Sequence, residues 1–247
     1  MKSLLAEDFG KIDAVAKNIW GWLAPSERRF LFKSAAGCSG KAVIVEIGSW
    51  EGKSTAYLAG GSKTGKKAKV YAIDPHQDSY AHIPKLGKGI STLEAFKENM
   101  LKAGVQDIVE PIVKLSKDAA VGWDKPIEFL WIDGEHSYKE AKQDFNLFEK
   151  NVIDGGLIAF HDATYDNVKT VVKEVLLGSG RFIESGIAGS IVYARKAGNR
   201  QLTFLEKIRN LWVIFLIDAH DVLRMIKLPG FIREPAKRVV KGALDSF

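Results

Sequence analysis

Val45-Glu46-Ile47-Gly48-Ser49-Trp50-Glu51-Gly52-Lys53-Ser54 reads as a β-strand that runs into a glycine-containing turn and then a helix. Gly48 and Gly52 let the backbone approach a bound ligand closely, and a helix that starts here points free N–H groups at it. The spacing Gly-x-x-x-Gly, with Glu46 two residues ahead, is neither the G-x-G-x-x-G dinucleotide fingerprint nor a Walker loop. An acid at the end of this strand repels a pyrophosphate and suits a ligand with an ammonium group. The turn therefore favours an amino-acid-bearing nucleoside over NAD.

Working outward, short apolar β-branched runs at 42–47, 70–73, 108–113, 127–132 and 157–160 alternate with helical patterns at 54–59, 91–103, 139–151 and 167–177. Strands apolar throughout are those of a parallel sheet buried on both faces, and the alternation is that of βαβ units. Residues 181–185 and 190–195 follow as two strands joined by a turn at 186–189. The expected fold is an α/β, doubly wound, Rossmann-like seven-stranded sheet whose last strand is antiparallel, with helical extensions at both ends. Ligands in such sheets lie beyond the carboxyl ends of the strands. The expected organisation is a helical cap over 1–40, the sheet domain over 41–198 and a basic, amphipathic helical extension over 199–247.

Composition limits the function. The chain has 247 residues, long enough for one full domain with an appendage, and 46% hydrophobic residues exclude a disordered chain. A single cysteine, Cys38, forms no internal disulfide, and with five scattered histidines it supplies no cysteine-rich zinc site; a reducing cytoplasm is the expected compartment. The opening MKSLLAEDFGKID is unlike a secretory signal, and no apolar run reaches the ~20 residues of a membrane span. A net charge of +6 is an ordinary solubility charge, and without a nucleic-acid motif it gives no reason to expect a nucleic-acid partner.

A second acid, Asp74, ends the 70–73 strand, where a carboxylate can accept hydrogen bonds from both ribose hydroxyls. Ser116, with Lys117 and Asp118, follows the third strand and would flank an adenine; the alternative for Ser116 is a helix N-cap. Together with the run Phe129-Leu130-Trp131-Ile132-Asp133-Gly134-Glu135-His136-Ser137-Tyr138 and the run Gly155-Gly156-Leu157-Ile158-Ala159-Phe160-His161-Asp162, these residues resemble the class I S-adenosylmethionine-dependent methyltransferases. Within them the likeness is to the catechol O-methyltransferase-like group and the macrocin-type sugar O-methyltransferases, over 42–196.

The resemblance implies S-adenosylmethionine as cofactor, held by Glu46, Gly48, Ser49, Gly52, Ser54, Asp74, Ser116 and Asp133, with a small hydroxylated acceptor such as a sugar or a glycolipid or natural-product precursor. It places Asp133 at a divalent-metal position and His136, three residues on, as the general base. The remaining metal ligands would come from His161 and Asp162. Asp162 fits the family's carboxylate or amide pair, whereas His161 replaces a hard oxygen: it either ligates a softer ion such as manganese or zinc, acts as a second base or contacts the cofactor or substrate, and the choice among magnesium, manganese and no metal stays open. Other chemistry on the same scaffold, such as hydroxylation, and a binding protein with a relic cofactor site are the rival readings.

Three segments keep two readings each. The aromatic group Trp20, Trp22, Phe30 and Phe32 either covers the site or completes the core. The segment 76–85 is an acceptor loop or solvated. The stretch Phe204, Ile208, Leu211, Phe215, Ala219, Leu223 and Ile226 at helical spacing docks on the domain or on a second subunit, or lies on an anionic membrane.

Overall fold

The computed structural model describes residues 2–77 and 92–225. Seven strands form one sheet in the order β3-β2-β1-β4-β5-β7-β6. They are β1 (Val43–Ile47), β2 (Val70–Ile73), β3 (Val109–Ile112), β4 (Ile127–Ile132), β5 (Val152–Phe160), β6 (Phe182–Ala188) and β7 (Ile191–Lys196). The first five pair in parallel, and β7 runs antiparallel between β5 and β6. The order reverses between β1 and β4, which opens a crevice at their carboxyl ends.

The sheet is covered on both faces. On one side α1 (Lys2–Ala16), α2 (Pro25–Ala36), α3 (Lys53–Thr64) and α4 (Thr92–Lys102) share a core with Ile44, Val70, Phe129 and Trp131. On the other, α6 (Tyr138–Phe148), α7 (Asp166–Val171) and the π-helical turn Val172–Leu177 that continues it pack on Val45, Leu130 and Ile158. Between β3 and β4 lies one helical turn, α5 (Ser116–Ala119). Full burial of side chains such as Phe32, Phe129 and Phe160 contributes roughly 1.5–3 kcal/mol each.

Several element bounds differ from the sequence expectation, each for a local reason. Helix α3 runs on through Gly60 and Gly61 because α2 lies against it: a Cβ at Gly61 would come within 2.0 Å of the Phe32 carbonyl oxygen. Strand β5 starts five residues earlier than expected, at Val152, and the Gly155-Gly156 pair that masked it sits in an irregularity opposite Ile127 to Phe129. Strand β6 likewise passes through Gly186 to Ala188, so the hairpin turns at Gly189-Ser190, not at 186–189.

The final described helix, α8 (Phe204–Met225), docks on its own domain. Val213, Leu216 and Ile217 enter the core beside Leu176 and Phe182. The Asn210 amide donates to the carbonyls of Leu177 (3.3 Å) and Phe182 (3.0 Å) and accepts from Ser185 Oγ (2.7 Å). The apolar positions picked out by spacing, Phe204, Ile208, Leu211 and Phe215, point the other way and are exposed. Residues 78–85 of the expected acceptor loop and residues 226–247 of the extension lie outside the described residues.

Candidate active site

The crevice between β1 and β4 is lined by the turn that opened the sequence reading. Gly48 has φ +87°, and a Cβ there would come within 2.2 Å of the Asp133 carbonyl oxygen, so the two strand ends meet only with glycine at this position. Trp50 takes φ +44°, a conformation costly for a bulky residue, and its N–H donates to Asp74 Oδ2 (2.9 Å). The His76 N–H donates to Asp74 Oδ1 (2.7 Å). Each Asp74 oxygen thus accepts one backbone bond and keeps a further lone pair for a hydroxyl.

Glu46 lies beneath this turn. It is fully buried, and its two oxygens accept from Ser54 Oγ and Thr55 Oγ1 (2.5 Å each) at the start of α3. Burial pushes its carboxyl up to about 8 in spite of these bonds. Both Glu46 and Ser54 are therefore engaged with each other. Ser49 Oγ, by contrast, is buried with no hydrogen-bond partner among the described residues, a polar group placed to meet a ligand. The glycine contact and this orphaned hydroxyl fit a nucleoside-type cofactor at the turn.

Ser116 occupies the first position of α5, whose N-cap is Leu115, so it does not serve as the cap. It lies near the buried Asp144 and lowers that carboxyl, but burial outweighs it and pushes the carboxyl up to about 6. Asp144, on α6, also lies against Gly134. The α6 helix starts with an N-cap in which Ser137 Oγ accepts from the Glu140 N–H (3.3 Å). That cap ends the Asp133-to-Ser137 loop and fixes where His136 stands.

The titratable groups at the ends of β4 and β5 form one cluster. His161 Nδ1 is 3.0 Å from Asp133 Oδ1 and 3.5 Å from Asp162 Oδ2. His136 Nε2 is 3.7 Å from Asp133 Oδ1 and 3.6 Å from Asp162 Oδ2. Accessibility separates the two rings: the His136 side chain is 48% exposed and the His161 side chain 7%. Asp162 has φ +49°, a second strained backbone at the same place.

The charges are interlocked. The Asp133 carboxylate, facing the His136 ring, raises it above the usual histidine range, with the Asp162 charge adding to it. Burial works against a charged His161, yet Asp133, Glu27 and Asp162 hold its proton well above that range. Burial also opposes an ionised Asp133, and the two imidazoles beside it outweigh the effect and lower its carboxyl.

Glu27 escaped the sequence reading. It is the third residue of α2, where its Oε2 accepts from the Ala24 N–H (2.6 Å), and it is 4% exposed. Its Oε1 accepts from the Ser190 N–H (2.7 Å) and Oγ (2.8 Å), and Oε2 lies 3.5 Å from His161 Nε2. The only local signal was a helix cap. Its second role depends on a turn 163 residues away.

The aromatic group divides. Phe32 is buried in the core and Phe30 packs on Phe129 and Tyr193, whereas Trp20 and Trp22 sit on Trp50, with ring centroids 4.7 and 5.8 Å away. Lys53 Nζ holds this covering loop by donating to the carbonyls of Lys17, Ile19 and Gly21. The His76 side chain is 2% exposed and bonded to Thr92 Oγ1 (3.2 Å), so it faces inward.

Asp133, His136 and His161 each offer one ligand atom within 4.8 Å of the others, and Asp162 adjoins them. His161 with the carboxylates of Asp133 and Asp162, a set that leaves His136 free, suits manganese or zinc better than magnesium, which prefers oxygen.

Comparison with known proteins agrees with this geometry. Residues 45–163 match a family model described as a methyltransferase domain. An uncharacterized protein, R132, of Acanthamoeba polyphaga mimivirus is 33% identical over 125 residues, which are 48% of this chain and 50% of that protein. The match thus covers about half of the length of this curated relative. Among solved structures, the O-methyltransferase NovP is similar with a TM-score of 0.63 at 16% identity, covering 78% of this chain and 99% of that one. An O-methyltransferase from Bacillus cereus in complex with S-adenosylhomocysteine has a TM-score of 0.53 at 18% identity, covering 78% and 91%. TomG from Streptomyces achromogenes, in complex with S-adenosylmethionine, has 0.54 at 17%, covering 79% and 90%. Residues 45–163, just under half of the chain, are thus similar to a methyltransferase domain, on a fold shared with these solved O-methyltransferases.

Proposed function

We propose that the protein transfers a methyl group from S-adenosylmethionine to a hydroxyl oxygen of a small acceptor, of the sugar, glycolipid-precursor or natural-product-precursor class, with His136 as general base. The observation that carries this reading is the position of His136: a half-exposed imidazole, flanked by Asp133 and Asp162, at the same sheet edge as the glycine turn and Asp74. Gly48, Ser49, Gly52 and Asp74 hold the cofactor directly. Glu46 and Ser54 hold the turn in shape from below, and Ser116 with Asp144 shapes the side expected for the adenine.

Bound S-adenosylmethionine supplies an electrophilic methyl group on a sulfonium. His136 takes the acceptor's hydroxyl proton on Nε2, and the neighbouring carboxylates stabilise the imidazolium that results. Asp133 ties His136 to His161, so the base is held in place as the acceptor oxygen is aligned. A divalent ion held by Asp133, His161 and Asp162 would lower the acceptor hydroxyl's pKa at the same spot. The reading carries with it a cytoplasmic location.

The test is transfer of a labelled methyl group from S-adenosylmethionine to a panel of sugars, catechols and other hydroxylated small molecules, in EDTA and then with manganese or magnesium. Labelled ether product that disappears in His136→Ala, while the variant still binds the cofactor, is the expected result. Full turnover by His136→Ala removes it as base. A hydroxylated product without label overturns methyl transfer.

A further inference from the structure

Helix α8 is apolar on two opposite sides, and the described residues cover only one of them. The inner side is the docked face of Val213, Leu216 and Ile217. The outer side carries Phe204 (76% exposed), Leu205 (75%), Ile208 (44%), Leu211 (63%), Trp212 (48%) and Phe215 (56%). Their spacing of three, four and seven residues puts them on one stripe along successive turns. Single exposed leucines need no explanation, whereas a contiguous stripe of this size marks a contact surface. The rings of Trp212 and Phe215 stack at 5.2 Å and 23°, which makes the middle of the stripe a flat aromatic surface.

Charge identifies what covers it. The helix's acids with described side chains are both neutralised within the chain, Glu206 by Arg200 at 2.6 Å and Asp218 by Lys173. The sequence that follows the helix, 226–247, contains Lys227, Arg233, Lys237, Arg238 and Lys241 against Glu234 and Asp245, a balance of 5 − 2 = +3. An apolar stripe rich in Trp, Phe and Leu, followed in the sequence by a basic segment, suits an anionic lipid surface: the stripe enters the headgroup boundary and the basic residues meet the lipid charge. No helix among the described residues is long and apolar enough to cross a membrane, so α8 would lie in the plane of the surface.

We infer that the outer stripe of α8, with the basic segment after it, docks the protein on an anionic membrane surface. The inference is independent of the methyl-transfer reading.

The test uses flotation of the full chain with phosphatidylcholine vesicles and with vesicles containing about one-third phosphatidylglycerol. Binding to the anionic vesicles alone is expected, and it should weaken as salt shortens the Debye length. Trp212→Ser with Phe215→Ser should weaken it about 10- to 100-fold, since two large rings leave the interface. Lys237→Glu with Arg238→Glu, which leaves the stripe intact, should weaken it on the order of 10-fold or more. An unchanged circular dichroism spectrum and urea-unfolding midpoint show that each variant is folded. Absence of binding to either vesicle, or equal binding to both, overturns the inference. So does a dimer in sedimentation equilibrium that the Trp212/Phe215 variant dissociates, which would assign the stripe to a second copy.

Discussion

Replacing Glu27 with alanine should be among the most damaging single changes outside the cofactor turn. The carboxylate accepts three hydrogen bonds, from the Ala24 N–H and from the Ser190 N–H and Oγ, and lies against His161. Bonds to a charged acceptor are worth about 1.5–3 kcal/mol each, and alanine leaves the Ser190 N–H without its partner and His161 without one of its counter-charges. These effects overlap, so the total is about 3–5 kcal/mol, the range found when one partner of a buried ion pair is removed. Against a typical total of about 5–15 kcal/mol this is a large fraction. Glu27→Gln keeps an amide oxygen for the Ser190 donors and loses the charge, so it should cost only about 1–2 kcal/mol. Urea unfolding measures both variants, and NMR titration of His161 reads the charge effect: its pKa should fall in both, since burial would then act with less opposition. A Glu27→Ala protein within 1 kcal/mol of the parent, with an unmoved His161 titration, refutes the reasoning.

Asp74→Ala should weaken S-adenosylhomocysteine binding by about 10-fold or more, through lost ribose bonds and release of the Trp50 and His76 N–H groups, as calorimetry would show. Stability should fall as pH rises from about 4.5 to about 8, because Glu46 keeps its proton up to about 8 when folded and loses it near 4.5 when unfolded. Glu46→Gln should flatten that part of the urea-unfolding pH profile, with a difference on the order of a few kcal/mol at the alkaline end. His136 must be neutral to act as a base, and Asp133 raises it, so turnover in EDTA should climb as pH passes that raised value. In Asp133→Asn the climb should begin at lower pH.

The sheet was legible because its signals are local. Residues 45–54 spell strand, turn and helix within one window, and each parallel strand is apolar throughout because both faces are covered. Glycines misled where they serve packing: Gly61 admits Phe32, and Gly186 lies within β6 against the Tyr193 ring. In α8 the helical spacing was visible, but the regular series Phe204, Ile208, Leu211 and Phe215 is the exposed stripe, and the docked face is the less regular Val213, Leu216 and Ile217. Asp133, His136, His161 and Asp162 could be named through the family resemblance of the runs 129–138 and 155–162, and the fold brings them into one cluster beyond β4 and β5. Glu27 could not, since its partners Ser190 and His161 become neighbours only after α2 has packed beside the β6–β7 turn.

The most direct test of the central claim is calorimetric titration of the full chain with S-adenosylmethionine and S-adenosylhomocysteine, in EDTA and then with manganese. The account predicts one site per chain for both nucleosides in EDTA, because Gly48, Ser49 and Asp74 at the turn hold the cofactor without the β4–β5 cluster. Absence of binding to either nucleoside under both conditions would contradict it.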